Sequence, residues 1–134
     1  MKINFRIFIS LLLLSFIFSS CKKQVGEGGT SIIKGKLFVT LYNIFTPIDS
    51  FYSGKENIYI IYGDASYFGN KIESSYDGSF EFPYLKKGKY KIFSYSNCLV
   101  NDTTCHGGKK TVLKEIEITK NNQVVDMGDL RITK

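Results

Sequence analysis

From Ile32 to the C-terminus the hydrophobic positions recur with a period of two. Ile32–Ile44 (IIKGKLFVTLYNI) alternates β-branched and aromatic residues with polar ones, the pattern of a half-buried strand. Asn57–Gly63 (NIYIIYG) is a compact apolar run suited to a strand buried on both faces. Asn70–Tyr76 leads into Asp77-Gly78, and Ser79–Tyr84 (SFEFPY) follows, which predicts a hairpin turning at the Asp-Gly pair. Phe80, Phe82 and Tyr84 then share one face, and Pro83 marks a strand end or an edge. In LKKGKYKIFSYS, Gly88 supplies a turn, Tyr90 and Ile92 point inward, and Lys89 and Lys91 point outward. Lys110–Thr119 places Val112, Ile116 and Ile118 opposite Glu115 and Glu117. In Val124–Ile132 the apolar phase slips near Gly128, as at a β-bulge. No segment carries a helical period. About seven strands separated by turn signals predict an all-β sandwich over residues 32–134.

The N-terminus has a different pattern. Lys2 and Arg6 precede an uncharged, largely apolar run, Ile7–Phe18, of about twelve residues. A membrane-spanning helix needs roughly 20. The run ends in Phe18-Ser19-Ser20-Cys21, which resembles the lipobox of bacterial lipoproteins, with Phe18 where Leu is usual. The resemblance implies a signal peptide over 1–20, cleavage before Cys21, a diacylglycerol thioether on Cys21 and, usually, an acyl chain such as palmitate on the new amine. Two or three acyl chains, each contributing about 0.8 kcal/mol per buried CH2, make a durable anchor. Residues 21–31 then comprise the lipidated cysteine and a flexible Gly/Ser-rich tether, whose ten-odd residues reach roughly 17 Å. Lys22 in place of the Asp that retains lipoproteins in the inner membrane of enteric bacteria favours the outer membrane, with periplasmic and surface faces both open.

This address changes the meaning of composition and cysteines. The formal charge of +6 includes Lys2 and Arg6, so the mature chain is less basic than the whole. Its remaining lysines are scattered apart from three pairs, and no RNA- or zinc-finger pattern accompanies them, which argues against nucleic acid as a partner. With Cys21 lipidated, Cys98 and Cys105 remain as an even pair in a compartment where disulfides persist. The stretch NCLVNDTTCHGG also holds the chain's one histidine, His106. Zinc would require four ligands in closely spaced pairs, and a Cys–His catalytic pair would require a thiolate spared from oxidation. A disulfide between Cys98 and Cys105 is therefore expected, ahead of free thiols and ahead of a metal.

A second resemblance rests on SYDGSFEFPYLKKGKYKIFSYS. It is similar to carboxypeptidase-regulatory-like and Cna-B-like domains in D-G-x-F-x-F followed by L-x-x-G-x-Y-x-I. Asp77, Gly78, Phe80, Phe82, Leu85, Gly88, Tyr90 and Ile92 carry the match. The resemblance implies a Greek-key, prealbumin/transthyretin-like β-sandwich, and those positions are structural in the family too. No nucleophile elbow, zincin, Walker or Rossmann pattern appears, so no enzyme, cofactor or metal is expected. The aromatic loops suggest binding instead. Tyr42, Phe45, Phe51 and Tyr52 lie in a stretch too long for a tight turn, and Tyr67 and Phe68 lie in another loop. These six are the candidate ligand-binding residues. The expected function is a lipid-anchored, non-catalytic binding or structural module for an envelope protein. The alternative is a carbohydrate-binding lipoprotein whose rings stack on sugars.

Overall fold

The computed structural model describes residues 24–105 and 107–134. The expected signal peptide over 1–20, Cys21 with Lys22 and Lys23, and His106 lie outside the described residues. Alternation along the first strand, β1 (Glu27–Asn43), is alternation of faces: Ile33, Leu37 and Val39 are buried, while Lys34 and Lys36 are exposed. Gly35 sits on the buried face because nothing larger fits. A Cβ there would fall 2.7 Å from Met127 Cγ and 2.8 Å from Phe80 Cζ.

Seven further strands follow: β2 (Thr46–Tyr52), β3 (Asn57–Tyr62), β4 (Asn70–Glu73), β5 (Ser79–Leu85), β6 (Gly88–Asn97), β7 (Lys109–Ile118) and β8 (Val124–Thr133). No helix occurs among the described residues. The expected all-β sandwich is found, with eight strands rather than about seven. The additional strand is β2, inside the stretch read as a loop. Every β2 residue is exposed, so neither face leaves an alternating signature.

β1 is the axis of the first sheet. On one edge it pairs antiparallel with β5 over Glu27–Lys36 and then with β2 over Phe38–Asn43. The two partners lie end to end. Leu37 marks the handover: its N–H donates to Gly78 O at 2.8 Å and its carbonyl accepts from Ser53 N–H at 3.1 Å. On the other edge β1 pairs with β8, in parallel, from Ile32–Val124 to Thr40–Thr133. The second sheet runs β4-β3-β6-β7, all antiparallel. Between the sheets lies one core, drawn from both, that includes Leu37, Ile58, Ile60, Tyr90, Ile92 and Leu130, each fully buried.

Three sequence expectations change. The Asp77-Gly78 turn, with Gly78 at φ 77°, does not close a hairpin; it carries the chain from β4 in one sheet to β5 in the other. The pair specifies a reversal of direction, and the reversal does not choose the hydrogen-bond partner. Tyr84 does not join Phe80 and Phe82 inside. Between Ile33–Phe82 and Ser31–Leu85 the β5 strand carries one extra residue, a bulge that turns Tyr84 outward at φ 58° and gives its core slot to Leu85. The described part of the stretch read as a tether, 21–31, belongs to the fold: β1 begins at Glu27, Val25 packs against the core, and Ser31 is buried with its hydroxyl donating to Lys120 O at 3.0 Å. The bulge expected at Gly128 is present, because Lys34 pairs with Asp126 and Lys36 with Asp129.

Candidate functional site

Cys98 and Cys105 form a disulfide with 5.9 Å between their Cα atoms, closing the β6–β7 loop. Inside the loop, Asp102 accepts from Thr104 N–H and hydroxyl at 3.1 and 2.5 Å and from the Lys110 ammonium at 2.6 Å. The Lys110 bond and then the Thr104 hydroxyl hold the Asp102 carboxyl down at about 2. Loop polarity is thereby consumed in holding the loop's own shape. Among the described residues no group of three His, Cys, Asp or Glu side chains is placed to hold a metal ion.

The six candidate aromatics separate into two regions. Tyr42, Phe45, Phe51 and Tyr52 belong to the β1–β2 hairpin, whose tip lies beyond the last β1–β8 pair, Thr40–Thr133. Tyr67 and Phe68 lie in the β3–β4 turn, where Tyr67 shares a cleft with Gln24 and Val25 at the end where the chain enters. The two loops occupy opposite ends, and no common patch forms. Within the hairpin the roles differ again. Tyr52 is committed to the sheet: its ring meets Phe38 edge-on at 5.2 Å, Lys36 lies over it at 5.0 Å, and its hydroxyl donates to Asp129 at 3.4 Å. Tyr42 is half-buried and lines a small cleft with Ile44, Val100 and Lys134. Phe45 and Ile48 are each 63% exposed and Ile44 62%, with Phe51 less so. A hairpin tip apolar and exposed to this degree has the composition of a contact surface.

A second surface escaped the sequence. On the outer face of the second sheet, Phe68 meets Tyr59 edge-on at 5.0 Å. Tyr59 stacks on Phe93 at 4.9 Å and 11°, and Tyr95 closes edge-on against both. Phe93 is 6% exposed although it points away from the core; the neighbouring rings shield it. NIYIIYG thus does have two apolar faces, the outer one covered by rings rather than by another layer. Register was the missing signal, since Tyr59 and Phe93 become neighbours only through the β3–β6 pairing. Phe68 and Tyr95 keep about half their surface open, and such rings can stack on sugar faces or an apolar partner.

Near the chain entry, Glu27 accepts from Tyr62 hydroxyl at 2.7 Å and from Asn70 at 2.9 Å. Burial, then the Glu27 bond, pushes the Tyr62 phenol well above its ordinary value.

No family model matches the chain, and no curated protein matches it. Among solved structures it is similar to a 9R-lipoxygenase from Cyanothece PCC8801, with a TM-score of 0.41 and 15% identity over 94% of this chain and 22% of that one. The chain thus spans under a quarter of the lipoxygenase, and a likeness of this size says nothing about activity.

Proposed function

We propose that this chain is a lipid-anchored, non-catalytic binding module of the bacterial envelope, held to the outer membrane through Cys21 and engaging another envelope protein. The observation that carries the reading is the β1–β2 arm. Its tip lies beyond the last β1–β8 pair, at the end away from the chain entry, and exposes Ile44, Phe45 and Ile48. A lipid at Cys21 would leave that arm pointing away from the bilayer, free to meet a partner by side-chain contact or by strand addition along its open edge.

A photo-crosslinking amino acid in place of Phe45, in living cells, tests the reading. One discrete protein adduct is expected, lost when Ile48→Asp is added and absent when the crosslinker stands at Leu113. The row Phe68–Tyr59–Phe93–Tyr95 favours a second reading, binding of a carbohydrate. No adduct at position 45, together with a glycan-array signal abolished by Phe68→Ala, would replace the first reading by the second.

A further inference from the structure

The end of the sandwich at which the chain enters is built differently from the arm end. Gly28–Thr30 loops out of the ladder, because Glu27 and Ser31 both face Leu85. Beside the loop lies a groove of about 370 Å3 lined by Gly28, Thr30, Lys86, Lys87 and Asn121, and no carboxylate lines it. Lys120 belongs to the adjoining β7–β8 turn, fixed there by its carbonyl's bond to Ser31. Glu27, next to the loop in the chain, is engaged by Tyr62 and Asn70, and Asp64 lies in the adjoining cleft with Gln24 and Tyr67. Two exposed tyrosines flank the lysines: Tyr84, 71% exposed and turned outward at a positive φ, on the first sheet, and Tyr67, 75% exposed, on the loop of the second. Lysines bordered by tyrosines suit the boundary between water and lipid headgroups, where an aromatic ring with a polar tip is at home.

We propose that this end face binds the phosphates of anionic phospholipid headgroups and seats the domain upright on its membrane, with the arm outward. The inference rests on the lipid anchor at Cys21 proposed above. Three residues of chain from Cys21 to Gln24 span at most about 10 Å, so the entry end stays within reach of the headgroups, and what holds it against them is left to its own side chains. A few lysines near an anionic surface are too weak to recruit a soluble protein, but they are sufficient to orient one already held there.

The test uses the protein isolated from its own membrane and reconstituted in phosphatidylcholine vesicles with or without phosphatidylglycerol. A fluorophore is carried on Asn121→Cys or on Phe45→Cys. Headgroup-labelled quencher lipid is expected to quench position 121 on the anionic vesicles only, and to leave position 45 bright on both. Raised salt, and separately Lys86→Gln with Lys87→Gln, should abolish the quenching at 121; the salt arm needs no variant to fold. Equal quenching at both positions, or quenching at 121 indifferent to phosphatidylglycerol and salt, overturns the proposal. Mass spectrometry of the same preparation separates the two readings. An acylated Cys21 with no lipid contact at 121 removes this inference and keeps the anchor. Contact at 121 by a chain without acyl groups removes the anchor and keeps the headgroup surface.

Discussion

A hydroxyl placed in a core has to find a partner there, and Tyr90 shows how the fold supplies one. The side chain is fully buried, and its hydroxyl donates to Lys86 O at 2.6 Å and to Gly26 O at 3.3 Å. Lys86 N–H also donates to Gly26 O, at 2.9 Å. One phenol therefore ties the entering chain to the β5–β6 turn. Burial, its largest influence, holds its own ionisation above the ordinary value. Tyr90→Phe removes the donor and keeps the ring, so a loss of about 1–2 kcal/mol in urea-unfolding stability is expected. Faster hydrogen exchange at Gly26 and Lys86 should accompany it, and an unchanged midpoint would show that the two carbonyls lose nothing. The inward direction of Tyr90 was legible, since it follows a glycine turn in phase with Ile92. Its partner was not, because Gly26 is distant in sequence and stood in what read as a tether. Tyr84 was misread for the converse reason. Alternation extrapolates faithfully until a bulge adds a residue, and only the register of β1 against β5 reveals that bulge.

At the scale of elements, a strand is legible when one of its faces is buried. β1, β6 and β7 each have one buried or half-buried face, and their alternation stands in the sequence. β2 buries neither face and was read as a loop. β7 shows how an open edge is protected: Lys114 sits on its inward face and donates to Met127 O, at the bulge of β8, at 2.9 Å. An inward lysine at an edge discourages a further strand from adding there. The element that follows β6 was legible from cysteine arithmetic, because assigning Cys21 to a lipid leaves an even pair, and the disulfide is present. Closing a loop of about eight residues stabilises by roughly 2–3 kcal/mol through the unfolded chain. Replacing Cys98 and Cys105 together by Ser should therefore lower unfolding stability by that amount, while the far-ultraviolet spectrum stays that of a sheet protein. A double variant as stable as the parent would mean that the Asp102–Lys110 and Asp102–Thr104 bonds already fix the loop without the sulfurs.

The whole molecule is organised by a contact between its first and last strands. β1 and β8 run parallel along nine residues of β1, and β8 contributes Met127, Leu130 and Ile132 to the core, with Leu130 fully buried. A parallel pair joined across nearly the whole domain is the least local contact the chain could make, and its closure entropy must be met before the contact stabilises anything. Removing β8 would also open the second edge of β1 and expose Leu37 and Val39 from below. Each large apolar residue lost from a core typically costs about 2–5 kcal/mol, against a total stability of about 5–15 kcal/mol for a domain of this size. Three such residues exceed what the domain can lose. A chain ended after Asn122 is therefore expected to show no cooperative thermal transition and little sheet signal, although seven of the eight strands remain. Adding Val124–Lys134 back as a separate peptide should restore sheet structure in proportion to its concentration. A truncated chain that melts cooperatively would mean that β1 is held by β5 and β2 alone, and that the parallel pair follows folding instead of completing it.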